Sequence, residues 1–350
     1  MTKLNIGIAG AGLIGRRHME LVQASPTCKL TAIADPAPAA AGVARAAGVP
    51  LHASLDAMLA AHRLDGVILA TPNHLHVEDA LACVRAGVAA LIEKPVAHSL
   101  EEGMRLSSAA EAANATLLVG HHRAHSPLLA RAREIVREGV LGTPVAVVGT
   151  AMFCKPDDYF AAAPWRRQPG GGPILINMIH EIGNLRALCG EIVAVQAMAS
   201  HAARQFPVED TVAINLRFAN GALGTFMLSD SAASARSWEQ TSRENADYAS
   251  YPDEDCYVIA GTRGSLAVPT MRLKTYARDQ DRSWFKPFQA SVVELTREDP
   301  LARQLAHFCD VIRGVAAPLV TVHDGLQNLR VTEAIAEAAR SGRIVEVVDA

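Results

Sequence analysis

The first third of the chain alternates between short apolar runs and alanine-rich segments whose apolar residues recur at helical spacing. The apolar runs predict strands at residues 4–9, 30–34, 66–70, 88–92 and 116–119. The segments between them predict helices at residues 15–24, 37–47, 55–61, 74–86 and 100–113. This alternation is typical of βαβ units, so we expect residues 1–120 to form a doubly wound α/β domain around a parallel sheet.

After residue 120 the pattern changes, and we expect residues 121–350 to form a second α/β domain. A helix at 128–138 precedes a strand at 144–152, a loop rich in Pro and Gly at 156–173 and a helix at 174–189. Further strands are predicted at residues 193–199, 211–218, 222–228, 256–260 and 265–268. They indicate an open, mainly antiparallel sheet, and its uncovered face favours a homodimer or homotetramer formed through this sheet.

The last fifty residues return to a helical pattern. Helices are predicted at residues 301–313 and 325–340, followed by a short strand at 344–348. We expect the C-terminal helix to pack back on the first domain. The polar stretch at residues 239–255 is predicted to be an exposed insertion.

Composition places the chain among ordinary globular proteins and excludes several classes of function. Of 350 residues, 50% are hydrophobic and 20% charged, with 33 Lys and Arg against 36 Asp and Glu. This balance argues against disorder and leaves no broad basic surface for nucleic acid or an anionic membrane. The longest stretch without Asp, Glu, Lys or Arg, residues 139–154, is too short to span a bilayer. Six Cys without a C-x-x-C pair are typical of a reducing compartment, so a cytoplasmic location is expected.

The sequence GAGLIG at residues 10–15 follows the first predicted strand and opens the first predicted helix. In this context Gly10 forms a tight turn, Gly12 lets the backbone approach a pyrophosphate and Gly15 allows close packing of helix on strand. Asp35 follows the second strand, where its carboxylate can accept hydrogen bonds from the adenosine ribose and repels a 2′-phosphate. The alternative is a glycine turn that serves packing alone. We expect a dinucleotide site that favours NAD over NADP.

Five motifs together resemble the glucose-fructose oxidoreductase / inositol dehydrogenase / rhizopine-catabolism (Gfo/Idh/MocA) family. They are GAGLIG at residues 10–15, ATPNHLH at 70–76, EKP at 93–95, VGHHRAHSP at 119–127 and GGGPILINMIHEI at 170–182. The resemblance covers nearly the whole chain. It implies an N-terminal Rossmann domain, a C-terminal α/β domain whose open sheet mediates oligomers, and NAD(P)-dependent oxidation of sugar or cyclitol hydroxyls.

Polar residues follow two further predicted strands at the carboxyl edge, where open α/β sheets bind ligands. Asn73 can line the cofactor, cap the next helix, or do both. The ammonium of Lys94 can polarise a substrate oxygen, and in the family the matching lysine hydrogen-bonds the reacting hydroxyl. The residues expected to hold the cofactor are Gly10, Gly12, Leu13, Ile14, Gly15, Asp35, Thr71, Pro72, Asn73, His76, Glu93 and Lys94.

Asn177, His180 and Asn184 recur at i, i+3 and i+7 and therefore share one face of the predicted helix at 174–189. A single histidine on an apolar helix is either a core residue or a functional one. The matching family helix places a histidine over the substrate, which implies that His180 is the general acid/base. Many members have an aspartate at the positions occupied here by Ile176 and Gly183. We therefore expect the catalytic set to be Lys94, His180 and Asn177, with Asn177 orienting the substrate without acting as a base.

Positive charge near the expected substrate cleft widens the range of substrates. The residues predicted to bind substrate are Lys94, His122, Arg123, Trp165, Arg166, Asn177 and His180. Their charge makes a hydroxylated ring acid or sugar acid a candidate beside neutral sugars. No metal site is predicted, because the histidines in these motifs lack a carboxylate or Cys at ligand spacing.

Together these features predict an NAD-dependent dehydrogenase that oxidises a secondary hydroxyl of a polyol or hydroxy acid. Two alternatives remain open. One is an NAD-requiring glycoside hydrolase or lyase that regenerates its cofactor in each turnover, and the other is a non-catalytic NAD-binding regulator. The presence of both Lys94 and His180 argues against the regulator.

Overall fold

The computed structural model describes residues 2–348, which form two compact units. Unit 1 contains the chain up to His125 together with Pro300–Leu329, and unit 2 contains Ser126–Asp299 and the chain from Arg330. Each unit has its own hydrophobic core. Unit 1 is thus assembled from two stretches of chain that are separated by most of unit 2.

The helices of the described chain have the following bounds in chain order: Leu13–Ala24 (α1), Ala40–Ala47 (α2), Leu55–Ala61 (α3), His76–Ala86 (α4), Leu100–Ala112 (α5), Pro127–Arg137 (α6), Asp157–Ala161 (α7), Ile179–Cys189 (α8), Trp238–Ser242 (α9), Pro300–Ile312 (α10) and Val322–Ser341 (α11). Serine caps begin two helices of unit 1, since Ser54 accepts from Ala57 N and Ser99 accepts from Glu102 N. Within residues 2–348, no helix is both long and apolar enough to cross a membrane.

Unit 1 contains a six-stranded sheet in which every pair of neighbours is parallel. Its strands are Leu4–Ala9 (β1), Cys28–Ala34 (β2), Leu51–His52 (β3), Gly66–Leu69 (β4), Ala89–Glu93 (β5) and Leu117–Gly120 (β6). The order β3-β2-β1-β4-β5-β6 is that of a dinucleotide-binding Rossmann sheet. The predicted doubly wound parallel sheet is confirmed, although β3 was not predicted, because two residues give no periodic pattern.

Strand β4 is apolar and fully buried, and β1 is buried from Ile6 to Ala9, as expected for strands covered by helices on both faces. The core of unit 1 joins β1 and β2 to Met19 and Val22 of α1 and to Phe308 of α10. Helix α10 lies far along the chain, yet Phe308 is completely buried in this core. The returning segment is therefore part of the structure of unit 1.

Unit 2 contains a nine-stranded sheet with the order β14-β13-β12-β11-β7-β10-β9-β8-β15. Its strands are Pro144–Met152 (β7), Ile192–Ser200 (β8), Thr211–Phe218 (β9), Leu223–Ser229 (β10), Tyr257–Gly261 (β11), Gly264–Val268 (β12), Arg272–Thr275 (β13), Gln289–Val292 (β14) and Val345–Glu346 (β15). Only the β7–β10 pair is parallel, so the predicted open and mainly antiparallel sheet is confirmed. Strands β13 and β14 were not predicted, because they are short, partly polar and at one edge.

The sheet of unit 2 has one buried and one exposed face. In β9 the side chains of Val212, Ile214, Leu216 and Phe218 are buried, and those between them face outward. The buried face shares a core with α6, α8 and the C-terminal part of α11. The alternation read from the sequence therefore corresponds to the two faces of the sheet.

Three segments of unit 2 differ from the sequence prediction. The expected loop at 156–173 contains α7 and a 3-10 turn at Pro164–Arg167. The expected helix at 174–189 begins as a π-helical turn at Ile174–Met178 before it continues as α8. The stretch at 239–255 is not uniformly exposed, because α9 lies in it and Thr241, Ser242 and Asp255 are buried.

Candidate functional site

Two glycines of the GAGLIG motif are required by the packing of unit 1 itself. Gly10 has a φ of +94°, and a Cβ there would lie 2.4 Å from the carbonyl oxygen of Ala70. A Cβ on Gly15 would lie 2.0 Å from the carbonyl oxygen of Gly10. The turn after β1 and the close approach of α1 therefore depend on these two positions.

The middle glycine has a different environment. A Cβ on Gly12 would meet no atom within 4 Å, so packing does not explain this glycine. Gly12 precedes the first turn of α1 without a side-chain cap, and the neighbouring Leu13 is 87% exposed while Ile14 is half-buried. Open space above an uncapped helix N-terminus suits the pyrophosphate of a dinucleotide.

Asp35 lies at the end of β2 beside the glycine turn. Its Oδ2 accepts a hydrogen bond from Ala11 N at 2.7 Å, and its Oδ1 accepts one from Ala37 N at 2.7 Å. Each carboxylate oxygen has a further lone pair for a ribose hydroxyl. The next basic residue in the sequence is Arg45, in the last turn of α2. This arrangement fits the ribose of NAD, and the negative charge opposes a 2′-phosphate.

The segment after β4 is held by hydrogen bonds to its neighbours. Thr71 Oγ1 donates to Asp79 at 2.7 Å, while Pro72 is exposed and Asn73 is half-buried at the start of a 3-10 turn. His76 is 1% exposed, and its ring nitrogens lie 2.8 Å from Thr71 O and 2.7 Å from Pro95 O. His76 therefore joins the chain after β4 to the chain after β5, and its ring nitrogens are already occupied by protein carbonyls.

The two charged residues of the EKP motif occupy different environments. Glu93 is buried, and Oε1 lies 2.8 Å from His18 Nε2 on α1. Lys94 is half-buried and directly follows the end of β5. Lys94 thus lies at the carboxyl edge of the sheet, whereas Glu93 supports that edge from inside.

The histidine-rich segment after β6 is largely internal. His122 is half-buried, and its charge is one of those that lower the pKa of Glu93. Arg123, which is predicted to bind substrate, is only 3% exposed. His121 and His125 are also buried. Among the residues that the structure describes, no group of three or more His, Cys, Asp or Glu is arranged to hold a metal ion.

The three polar residues predicted to share one face of the helix at 174–189 have two different environments. Asn177, in the π-helical turn, is half-buried and accepts a hydrogen bond from Lys155 Nζ at 2.7 Å. His180, in the first turn of α8, is also half-buried. Asn184 is 1% exposed and donates to Tyr257 Oη at 3.0 Å. Asn177 and His180 therefore lie near the surface of unit 2, while Asn184 belongs to its core.

The residues at 164–167 provide aromatic and cationic groups in unit 2. Trp165 is 56% exposed. The guanidinium of Arg166 lies 3.7 Å from the centroid of the Tyr159 ring and donates to Tyr159 O at 2.6 Å. Arg167 is half-buried against Phe206. Stacking on aromatic rings orients both arginines.

Sequence reasoning missed two residues that contact the predicted site residues. His18 faces Glu93. The only indication of this residue in the sequence was its position on the buried side of α1. Lys155 contacts Asn177. The only indication of this residue in the sequence was its position directly after residues 139–154, the longest stretch without Asp, Glu, Lys or Arg. Burial, together with the charges of Arg204 and Arg166, lowers the pKa of Lys155 to about 8 against the opposing charge and hydrogen bond of Asp230.

Known proteins resemble both units. Residues 4–121 match the family described as "Oxidoreductase family, NAD-binding Rossmann fold", and residues 129–267 match the "GFO/IDH/MocA C-terminal domain". Inositol 2-dehydrogenase of Rhizobium meliloti is 24% identical over 347 residues, which cover 98% of this chain and 99% of that protein. The rhizopine catabolism protein MocA of Rhizobium meliloti is 30% identical over 191 residues, and the match spans 55% of this chain and 59% of that protein.

A solved structure extends the similarity to the whole fold. The WlbA dehydrogenase from Bordetella pertussis, crystallised with NADH and UDP-GlcNAcA, is 25% identical and has a TM-score of 0.78 over 99% of both chains. The resemblance drawn from the five sequence motifs is confirmed by the two domain matches. Because these matches cover most of its length, the chain belongs to the Gfo/Idh/MocA family of oxidoreductases, with an NAD-binding Rossmann domain in unit 1.

Proposed function

We propose that the protein is an NAD-dependent dehydrogenase that oxidises a secondary hydroxyl of a sugar, cyclitol or hydroxylated ring acid. The observation that carries this proposal is the environment of Gly12. Its missing side chain leaves open space beside an uncapped helix, and Asp35 stands at the same edge of the sheet. Residues required by folding alone, such as Gly10 and Gly15, do not leave such space.

Bound NAD supplies the hydride acceptor. The backbone around Gly12 binds the pyrophosphate, Asp35 binds the ribose, and the segments at Thr71 and Lys94 line the cofactor at the carboxyl edge. Lys94 donates a hydrogen bond to the substrate hydroxyl and stabilises negative charge on its oxygen. His180 accepts the hydroxyl proton as the general base, and Asn177 orients the substrate.

The roles of Lys94 and His180 are tested by alanine substitution and steady-state kinetics. Lys94→Ala and His180→Ala are each expected to lower turnover by about 10²-fold or more while the dissociation constant of NAD changes little. Lys29→Ala and His201→Ala replace exposed residues of the same types and serve as matched controls. Unchanged turnover in the Lys94 and His180 variants would overturn their catalytic assignment.

The same assay separates the dehydrogenase from the two alternatives. A dehydrogenase accumulates NADH in proportion to the oxidised substrate. A hydrolase or lyase with transient oxidation forms product without net NADH. A regulator binds NAD, turns over no polyol and binds a protein partner.

We also propose that the exposed face of the unit 2 sheet binds a second copy of the chain. Val148 on β7 faces outward at 52% exposure and pairs with Val258 on β11 and Thr225 on β10. Leu223 and Met227 lie on the same side of β10 and are also exposed. Cross-strand neighbours form a continuous surface, and exposed apolar surface of this kind favours association into a dimer or tetramer.

A further inference from the structure

Lys155 is a buried cation next to the proposed substrate helix. It follows β7, and only 10% of its side chain is exposed. Its ammonium donates to Asn177 Oδ1 at 2.7 Å and lies 3.3 Å from Asp230 Oδ2. An ammonium has three N–H donors, so these two oxygens leave one donor for a further partner.

The bond from Lys155 fixes the orientation of the Asn177 amide. Because an ammonium is a donor only, the atom of Asn177 that faces it must be the carbonyl oxygen. The amide N–H groups therefore point away from Lys155. Asn177 thus offers donors to a ligand, and His180 follows it by three residues on the same helical segment.

Arg166 places a second cation beside Lys155. Its guanidinium and the ammonium of Lys155 lie against the same Tyr159 ring, at 3.7 Å and 5.0 Å from the centroid. The Nε atom of Arg166 is buried, and no acceptor for it is found among residues 2–348. A buried N–H without an acceptor is unfavourable, and the closed surroundings of this atom direct any ligand to the other N–H groups of the guanidinium.

The neighbouring acids are already engaged within the protein. Asp230 Oδ1 accepts from Arg204 Nε at 3.0 Å, and its other oxygen faces Lys155. Asp210 Oδ2 accepts from the backbone N–H of Ala203 and Arg204, each at 2.9 Å. Glu209 Oε1 accepts from Ile174 N at 2.9 Å. These three acids offset much of the positive charge, which favours a monoanion over a doubly charged phosphate.

We propose that Lys155, Asn177 and Arg166 bind a carboxylate of the substrate, and that Lys155 determines specificity for hydroxy acids over neutral polyols. This inference rests on the proposed dehydrogenase function and narrows its substrate class. A carboxylate has two acceptor oxygens and one negative charge, which match the remaining donors of the three side chains.

The test compares matched pairs of acid and neutral substrates. Hexuronates are paired with their parent hexoses, and hydroxylated cyclohexane carboxylates with the same rings bearing a hydroxymethyl group. The unmodified enzyme should show higher kcat/KM for the acid of at least one pair. Lys155→Met should lower kcat/KM for that acid by about 10- to 100-fold more than for the neutral partner, mainly through KM, because both substrates lose the orientation of Asn177 but only the acid loses the charge. The matched control is Lys274→Met, which removes an exposed lysine of β13.

Direct binding provides a readout that is independent of turnover. Titration calorimetry of the same acid with the full chain should show weaker binding to Lys155→Met than to the unmodified protein. Lys155→Arg keeps the positive charge and should retain most of the preference for the acid. Thermal unfolding of each variant identifies those that are folded, and Asn177→Leu provides a second route if Lys155→Met unfolds.

The outcomes separate this inference from the proposed function. NADH formed from neutral polyols alone, or an equal loss for acid and neutral partner in Lys155→Met, overturns the carboxylate site and leaves the dehydrogenase intact. Acid binding that depends on Lys155 without NADH formation supports the site and overturns the dehydrogenase. Acid binding that is unchanged in Lys155→Met overturns the role of Lys155.

Discussion

His18 Nε2 on α1 lies 2.8 Å from Glu93 Oε1 at the end of β5, and both side chains are buried. The contact joins the helix that begins at the glycine motif to the strand that ends next to Lys94. Burial alone would raise the pKa of Glu93. The hydrogen bond and charge of His18, together with the charges of Lys94 and His122, lower it to about 2.

This lowered pKa predicts a loss of stability in acid. Because the folded-state pKa of Glu93 lies below its ordinary value of 4.5, the ionised carboxylate stabilises the fold above that pH. The contribution is lost as the pH falls from about 4.5 towards about 2. We expect Glu93→Gln to show a smaller fall in the free energy of unfolding over this window, measured by urea denaturation. Glu20→Gln, at an exposed position of α1, serves as the control and should behave like the unmodified protein. The prediction is contradicted if the free energy of unfolding falls equally with pH in all three proteins.

The glycine motif predicts opposite effects for two similar substitutions. Gly12→Ala places its methyl group in open space, so the melting temperature should change little while NAD binds at least about tenfold more weakly. Gly15→Ala places its methyl group 2.0 Å from a backbone oxygen, so unfolding should become easier by about 1–3 kcal/mol or more. Calorimetric unfolding and NAD titration measure the two effects. Equal loss of stability in both variants would show that Gly12 also serves packing.

Asp35 predicts the choice between the two nicotinamide dinucleotides. Asp35→Asn removes the negative charge and keeps one side-chain oxygen for Ala11 N, although its NH2 group cannot accept from Ala37 N; NAD should therefore bind more weakly and NADP more tightly. The ratio of their dissociation constants should shift by about tenfold or more. Asp65→Asn is the matched control, because Asp65 also accepts from a backbone N–H, that of Asn5, at 2.6 Å. Tighter binding of NADP than NAD by the unmodified protein would refute the role of Asp35.

The exposed sheet of unit 2 predicts a change of assembly. Val148→Asp places a charge in the centre of the apolar face and should shift the protein towards the monomer, as measured by light scattering after size exclusion. Val315→Asp, at a position that is 70% exposed in unit 1, should leave the assembly unchanged. A monomeric unmodified protein would rule out this face as a subunit interface.

Local patterns accounted for most of the regular structure. Strands β1, β7 and β9 have the predicted bounds, because each is long enough to show a continuous or alternating apolar pattern. Gly10 directly follows β1 and Asp35 directly follows β2. The sequence could therefore place both residues at the carboxyl edge of the sheet. The two-residue strand β3 and the polar edge strands gave no such pattern.

Contacts between distant segments were not predictable. Nothing local indicates that Lys155 reaches Asn177 or that His18 reaches Glu93, because the partners belong to different elements. The π-helical turn also has no simple periodic signature, and the helical spacing that grouped Asn184 with Asn177 gave no account of its contact with Tyr257. These arrangements arise from tertiary packing, which one sequence does not specify by spacing.

The divided course of unit 1 has a consequence for biosynthesis. Phe308 and its neighbours on α10 fill the core beside β1 and α1, yet they are translated after nearly all of unit 2. A nascent chain that has emerged only as far as His125 therefore exposes apolar surface that its final partner has not yet covered. Ribosome-bound intermediates should depend on chaperones until the last fifty residues emerge, and a fragment truncated at the end of β6 should aggregate.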